Sequence, residues 1–174
     1  MQYRFLAITT LMSLAACGEP SSPPPGDTEQ PKAAEAKPVA LGTPGEAEGL
    51  RFTVMDVATP VLIGPAEVGA KAEPGETFVV VSYTLKNISA KPLTMMERPG
   101  LTLINANGQS YAIDAMASPM AGAMMDDMSG MVADLNPNVS AKTKAAWKVD
   151  KASFDKATWR LVVAGDPQLT FALQ

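Results

Sequence analysis

Phe78-Val-Val-Val-Ser-Tyr-Thr-Leu-Lys-Asn-Ile-Ser-Ala-Lys-Pro-Leu93 is the longest β-type run in the chain. Val79, Val81, Tyr83 and Leu85 share one face at period two. Ser82, Thr84 and Lys86 share the other, and Phe78 and Val80 thicken its start. The pattern predicts a central strand, buried along one face and wet further along the other. It should stop at Asn87, with Ser89-Ala-Lys-Pro92 as the following turn.

Further strands are expected on both sides of this run. Arg51-Phe-Thr-Val-Met-Asp-Val57 alternates, which puts Phe52, Val54 and Asp56 on one face. Val61-Leu-Ile63 is a short apolar run closed by Gly64-Pro65, and Pro74-Gly75 turns the chain into the central strand. Leu101-Thr-Leu-Ile104 and Tyr111-Ala-Ile113 flank Asn107-Gly108, a strong hairpin signal because both turn residues tolerate positive φ. Asn136-Pro-Asn138 marks another turn. Ala145, Trp147 and Val149 alternate with Lys144 and Lys148; Trp159, Leu161 and Val163 and then Leu169, Phe171 and Leu173 repeat the period. Seven to nine short strands without a long helix predict an all-β fold, an antiparallel immunoglobulin-like β-sandwich over residues 50–174.

The residues resemble one family in particular. Gly75-Glu-Thr-Phe78 with the hydrophobic run to Asn87 comes first, followed by Lys91-Pro-Leu93 and Leu101-Thr-Leu103. Asn107-Gly108, Tyr111, Leu135-Asn-Pro137 and a strand holding Trp147 complete the pattern. It is similar to a widespread bacterial family of secreted or lipid-anchored immunoglobulin-like domains of unknown function, similar in turn to the mycobacterial immunoprotective extracellular antigen. Where that pattern has a Pro-Gly turn, this chain has Pro137-Asn138, and Asn enters the left-handed region more readily than most residues. The resemblance implies fold and says nearly nothing about activity.

The N-terminus reads differently. Met1-Gln-Tyr-Arg4 carries one positive charge, and Phe5 to Ala16 is apolar but shorter than the about 20 residues a membrane span needs. Leu14-Ala15-Ala16-Cys17 resembles the bacterial lipobox, which implies a signal peptide over residues 1–16 and acylation of Cys17, with the membrane as a partner through the lipid anchor. Gly18 at the next position resembles lipoproteins sent on to the outer membrane, with the domain facing the periplasm. Residues 17–49 then form a Pro-rich segment, with Pro20, Pro23, Pro24, Pro25, Pro31, Pro38 and Pro44 and almost no large aliphatic residue. Such a composition predicts a disordered tether.

Composition excludes several functions. The 174 residues contain 47% apolar residues and no histidine, which removes the commonest general base and transition-metal ligand. The single cysteine excludes an intramolecular disulfide. A net charge of −4 with no basic run argues against nucleic acid as a partner. No Ser-x-x-Lys pattern stands beside an obvious pocket signal, and Ser89-Ala-Lys91 and Ser140-Ala-Lys142 have the wrong spacing. The expectation is a domain that is not an enzyme, takes no cofactor, and binds an envelope protein or ligand that the sequence does not identify.

One segment invites a site. Ala115 to Ala141 holds Met116, Met120, Met124, Met125, Met128 and Met131, six of the nine methionines outside the signal peptide. A loop this long is often functional. Pro119, Gly122 and Gly130 oppose a continuous helix, leaving a short one near residues 123–128. Three readings stand: a lid packing its methionines over the open end of the sandwich, an adaptable surface for a peptide, protein or lipid, or a thioether site handling copper(I). Met95-Met96 would join it only if the fold brought them near. Asp126, Asp127 and Asp134 lack calcium-loop spacing, and Trp147 and Trp159 read as core.

Overall fold

The computed structural model describes residues 37–125 and 134–174. The signal peptide, Cys17 and most of the tether lie outside the described residues, as do Asp126, Asp127, Met128 and Met131. Among the described residues ten strands follow in order: β1 (Pro44–Ala47), β2 (Leu50–Ala58), β3 (Leu62–Ile63), β4 (Ala70–Lys71), β5 (Glu76–Asn87), β6 (Leu101–Ile104), β7 (Ser110–Tyr111), β8 (Ser140–Asp150), β9 (Arg160–Val163) and β10 (Leu169–Ala172). A seven-residue helix, α1 (Ala117–Ala123), precedes β8.

The strands form two antiparallel four-stranded sheets, β1-β2-β5-β8 and β10-β9-β6-β7, with β3-β4 as a separate hairpin. If β2 and β5 are the A and B strands of an immunoglobulin domain, then β8 is E and β10-β9-β6-β7 is G-F-C-C′. In that correspondence β1 is added outside A, and α1 stands where D would be. The fold is thus an antiparallel β-sandwich, as the alternation predicts.

The central strand is β5, paired along its length with β2 and β8. Val79, Val81 and Leu85 face the other sheet and pack with Phe52, Val54, Trp147, Leu103, Leu161, Val163 and Phe171. Each such side chain contributes about 1.5–3 kcal/mol through burial. Phe78 and Val80 point the other way and are also buried, at 1% and 7% exposure, because a second cluster covers them. The wet half begins at Ser82.

Two expectations need correction. Asp56 does not follow Phe52 and Val54 inward. The β2–β5 register shifts between Val54 and Asp56, so Met55 and Asp56 are both exposed and Val57 is buried instead. A bulge accommodates the extra residue and keeps the carboxylate out of the core. The Lys156 ammonium donates to the Val57 carbonyl beside it. Nor does structure begin at residue 50. Val39 bridges Phe171 in parallel, and β1 pairs with β2 from Pro44. Proline suggested a tether, but Pro44 opens an edge strand, where no ladder donor is required. Gly45 lets β1 approach β10 closely; a methyl there would lie 3.1 Å from the Phe171 ring and 3.2 Å from Leu169.

The predicted turns form. Gly108 has φ 78° and Asn138 φ 63°, so Asn138 takes the left-handed conformation in place of glycine. Tyr83 closes the inner face near the β8 start, stacked on Phe52 at 4.6 Å. Burial pushes its phenol up to about 12, opposed by the Arg98 charge and a hydrogen bond with Thr143. In the unfolded chain the phenol ionises near pH 10. Between about pH 10 and 12 the unfolded state therefore sheds its proton first, and stability falls as pH rises. Urea midpoints measured from pH 8 to 11 should drop for the wild type above pH 10 and drop less for Tyr83→Phe. Parallel profiles would contradict this.

Candidate functional site

The methionine segment is organised by α1, which lies on the outer face of the β1-β2-β5-β8 sheet. Its inward side is Ala117 and Ala121, one turn apart and nearly fully buried against Phe78, Val80 and Ala146. Such small side chains let the helix axis sit close to the sheet. The Asp114 carboxylate accepts hydrogen bonds from the Met116 and Ala117 backbone N–H groups at 3.0 and 2.8 Å, supplying the acceptors that a helix start lacks. Pro119 falls in the first turn, where a missing N–H costs no helical bond. The helix therefore starts about six residues before the expected position near Ala123.

α1 also completes the β8 edge. The Ser118 hydroxyl accepts from the Ala146 N–H at 2.8 Å and donates to its carbonyl at 3.1 Å; Asp114 N–H donates to the same carbonyl at 2.8 Å. One hydroxyl and one amide do what a neighbouring strand would do, so the buried backbone of Ala146 is satisfied. Nothing in the pattern of the segment singles out Ser118 or Asp114 beforehand, although the Ala117-x-x-x-Ala121 spacing is the signature of the packing.

The methionines divide. Met116 and Met124 are 70% and 60% exposed, Met125 is half-buried, and Met120 lies over Gly64 of the β3-β4 hairpin. The described part of the segment thus covers the outer sheet face, not the open end of the sandwich. Phe78 and Val80 are the reason, since they leave apolar surface on that face for the helix to bury. Met95 and Met96 are exposed on a 3-10 turn (Met95–Glu97) that follows the Leu93–Leu135 bridge at the Asn87 end of β5. α1 covers the Val80 end, about 24 Å of strand away at 3.4 Å per residue. The fold does not bring these two methionines to α1.

Other candidates resolve into structure. Trp147 and Trp159 are buried at 0% and 1% exposure. Trp159 donates from Nε1 to the Ser153 carbonyl at 3.0 Å and stacks on Tyr111 at 4.8 Å. Ser89 is held by Asn87, its N–H and hydroxyl both donating to Asn87 Oδ1 at 2.9 and 2.7 Å. Asn87 is itself fully buried, and its Nδ2 donates to the carbonyls of Lys91 and Leu135, both at 2.7 Å. Asp134 is exposed, and no group of three His, Cys, Asp or Glu side chains suited to a metal occurs among the described residues. A small crevice of about 10 Å³ near Phe52 and Leu169 is no larger than a water. A wide depression of about 560 Å³ opens among Val61, Lys71, Glu73, Glu76 and Lys151.

Residues 39–167 match the family model described as Domain of unknown function (DUF4352). The chain belongs to this family. The DUF4352 match starts at the residue where the parallel bridge to Phe171 forms, which agrees with a domain that includes Val39 and β1. A relative from Bacillus subtilis (strain 168), described as uncharacterized protein YxkC, is 36% identical over 136 residues, 78% of this chain and 76% of the relative. Among solved structures, a conserved hypothetical protein from Bacillus anthracis is similar with a TM-score of 0.65 at 22% identity, over 76% of this chain and 94% of that one. An uncharacterized beta-sandwich protein from Clostridium difficile 630 gives 0.56 at 12% identity, over 83% of this chain and all of that one. At such identities the structural likeness carries the fold alone.

Proposed function

We propose that this DUF4352 chain is a bacterial envelope lipoprotein whose sandwich serves as a binding or accessory domain and does no chemistry of its own. The observation that carries the reading is the Leu14-Ala15-Ala16-Cys17 sequence, whose cysteine is 22 residues ahead of Val39, the first bridged residue among the described residues. Acylation at Cys17 would hold the protein to a membrane, since each buried methylene adds about 0.8 kcal/mol. Gly18 favours the outer membrane, with the domain towards the periplasm. The non-catalytic part is supported by how hydroxyls are used: Ser89 and Ser118 are both committed to backbone and Asn87 partners. Cys17→Ser is expected to move the protein from the detergent phase to the aqueous phase in detergent partitioning of envelope extracts. A variant that stays in the detergent phase overturns the anchor.

Copper(I) handling is the rival, and the four-residue spacing of Met116, Met120 and Met124 favours it. Titration with Cu(I) against a competing chelator decides. Saturable binding lost in Met124→Leu/Met128→Leu supports the rival, and absence of retained copper removes it.

A further inference from the structure

The uncovered half of the β1-β2-β5-β8 outer face is built from three cross-strand rows. They are Arg51–Lys86–Ser140, Thr53–Thr84–Lys142 and Asp56–Ser82–Lys144, each read across β2, β5 and β8. Lys148 lies apart from them, opposite Phe78 in the half that α1 covers, and Glu76–Asp150 is the row beyond it. Lys142 and Lys144 stand about 7 Å apart at 3.4 Å per residue. Four cations thus share this half of the face with two carboxylates, Glu46 and Asp56, and Glu46 is paired with Arg51 at 2.6 Å. The opposite sheet is different: its outward rows, Thr102–Val162–Thr170 and Ile104–Arg160–Ala172, carry a single charge. The whole chain has a net charge of −4, so the positive face runs against the balance of the molecule.

Lysine on an exposed edge strand also discourages strand pairing. That role would account for Lys142, Lys144 and Lys148 on β8. It does not account for Lys86, which is on the central strand, or for Arg51 on β2.

We infer that this face docks onto the anionic headgroups of a membrane surface. An acidic protein is repelled from such a surface in every orientation except the one presenting its cations, so the charge asymmetry selects the orientation as well as the contact. The nearness of a bilayer rests on the lipoprotein reading above; the charge arrangement does not. In a tethered protein this contact would be intramolecular in effect, so a weak affinity suffices.

The test uses the full chain with Cys17→Ser, so that acylation cannot contribute, and sedimentation with vesicles. Phosphatidylcholine vesicles are compared with vesicles containing about one third phosphatidylglycerol. Any charge-independent background from the N-terminal apolar run appears in both. Preferential binding to the anionic vesicles is expected, falling steeply with salt. Lys86→Gln/Lys142→Gln/Lys144→Gln should weaken it on the order of 100-fold, about fivefold per lysine. Lys71→Gln/Lys91→Gln/Lys151→Gln makes the same change in net charge off the face and should alter binding by less than about twofold. Equal binding to both vesicle types overturns the proposal, as does equal weakening by the two triple variants. Tighter, face-dependent binding to a soluble polyanion than to vesicles would also overturn it, by assigning the face to an anionic polymer. Since Cys17 is absent throughout, failure here leaves the anchor untouched, and failure of the anchor leaves this readout intact.

Discussion

Asn87→Leu is expected to lower unfolding free energy by about 3–4 kcal/mol, a large part of the 5–15 kcal/mol typical of a domain. The side chain is fully buried at the end of β5 and uses its whole capacity: two donated bonds, to Lys91 and Leu135, and two accepted from Ser89. Its backbone is also engaged, donating to Val139 at 3.0 Å and accepting from Asn138 at 2.8 Å. One residue thus ties the β5–β6 connection to the segment entering β8. Leucine is close in volume, so the loss is mainly polar: four hydrogen bonds disappear, at about 0.5–1.5 kcal/mol each, although the Leu135 carbonyl keeps the Leu93 N–H and the Lys91 carbonyl keeps the Ser89 hydroxyl. Asn87→Asp gives the sharper comparison. It is nearly isosteric and keeps both acceptors, yet it places carboxylate oxygen against two carbonyls at 2.7 Å. It should be at least as damaging as leucine at pH 7. Urea unfolding reads both, and an aspartate variant within about 1 kcal/mol of wild type would show that the donated bonds contribute little.

Asn87 also marks how far the sequence could be read. Where the strand ends is visible, because the alternation stops and a turn follows. That the terminal Asn gathers Leu135, 48 residues away, is not visible, because the pairing is tertiary. The same division recurs elsewhere. Inward residues of β5 follow from period two alone, whereas burial of Phe78 and Val80 depends on a helix packed on their side. β2 defeats its own alternation at Asp56, where one bulged residue shifts the register. β1 was hidden by proline, which signals a tether by composition but is compatible with an edge strand by hydrogen bonding. For the methionine segment, the four-residue spacing of Met116, Met120 and Met124 leaves open which side of a helix is buried. The small residues Ala117 and Ala121 decide that, and attention to thioethers passes over them.

Trp147 should separate volume from polarity in the core. It is fully buried on β8, across from Val79, in the middle of the contact between the sheets. Trp147→Ala is expected to cost about 4 kcal/mol, because it removes the largest kind of core side chain and leaves a cavity that rigid strands on both sides cannot close. Its indole N–H is buried with no hydrogen-bond partner. A buried donor without an acceptor is itself destabilising, by about 1–3 kcal/mol. Trp147→Phe discards that donor along with part of the ring, so the lost volume is offset and the net cost should stay below about 1.5 kcal/mol. Trp159 supplies the internal control. Its N–H is satisfied by Ser153, so Trp159→Phe loses volume and a bond together and should cost more than Trp147→Phe. Chemical denaturation of the three variants, followed by circular dichroism because the indoles themselves are being removed, gives the order directly. If Trp147→Phe proves as costly as Trp159→Phe, the Trp147 N–H is satisfied in solution and the core at that point is not frustrated.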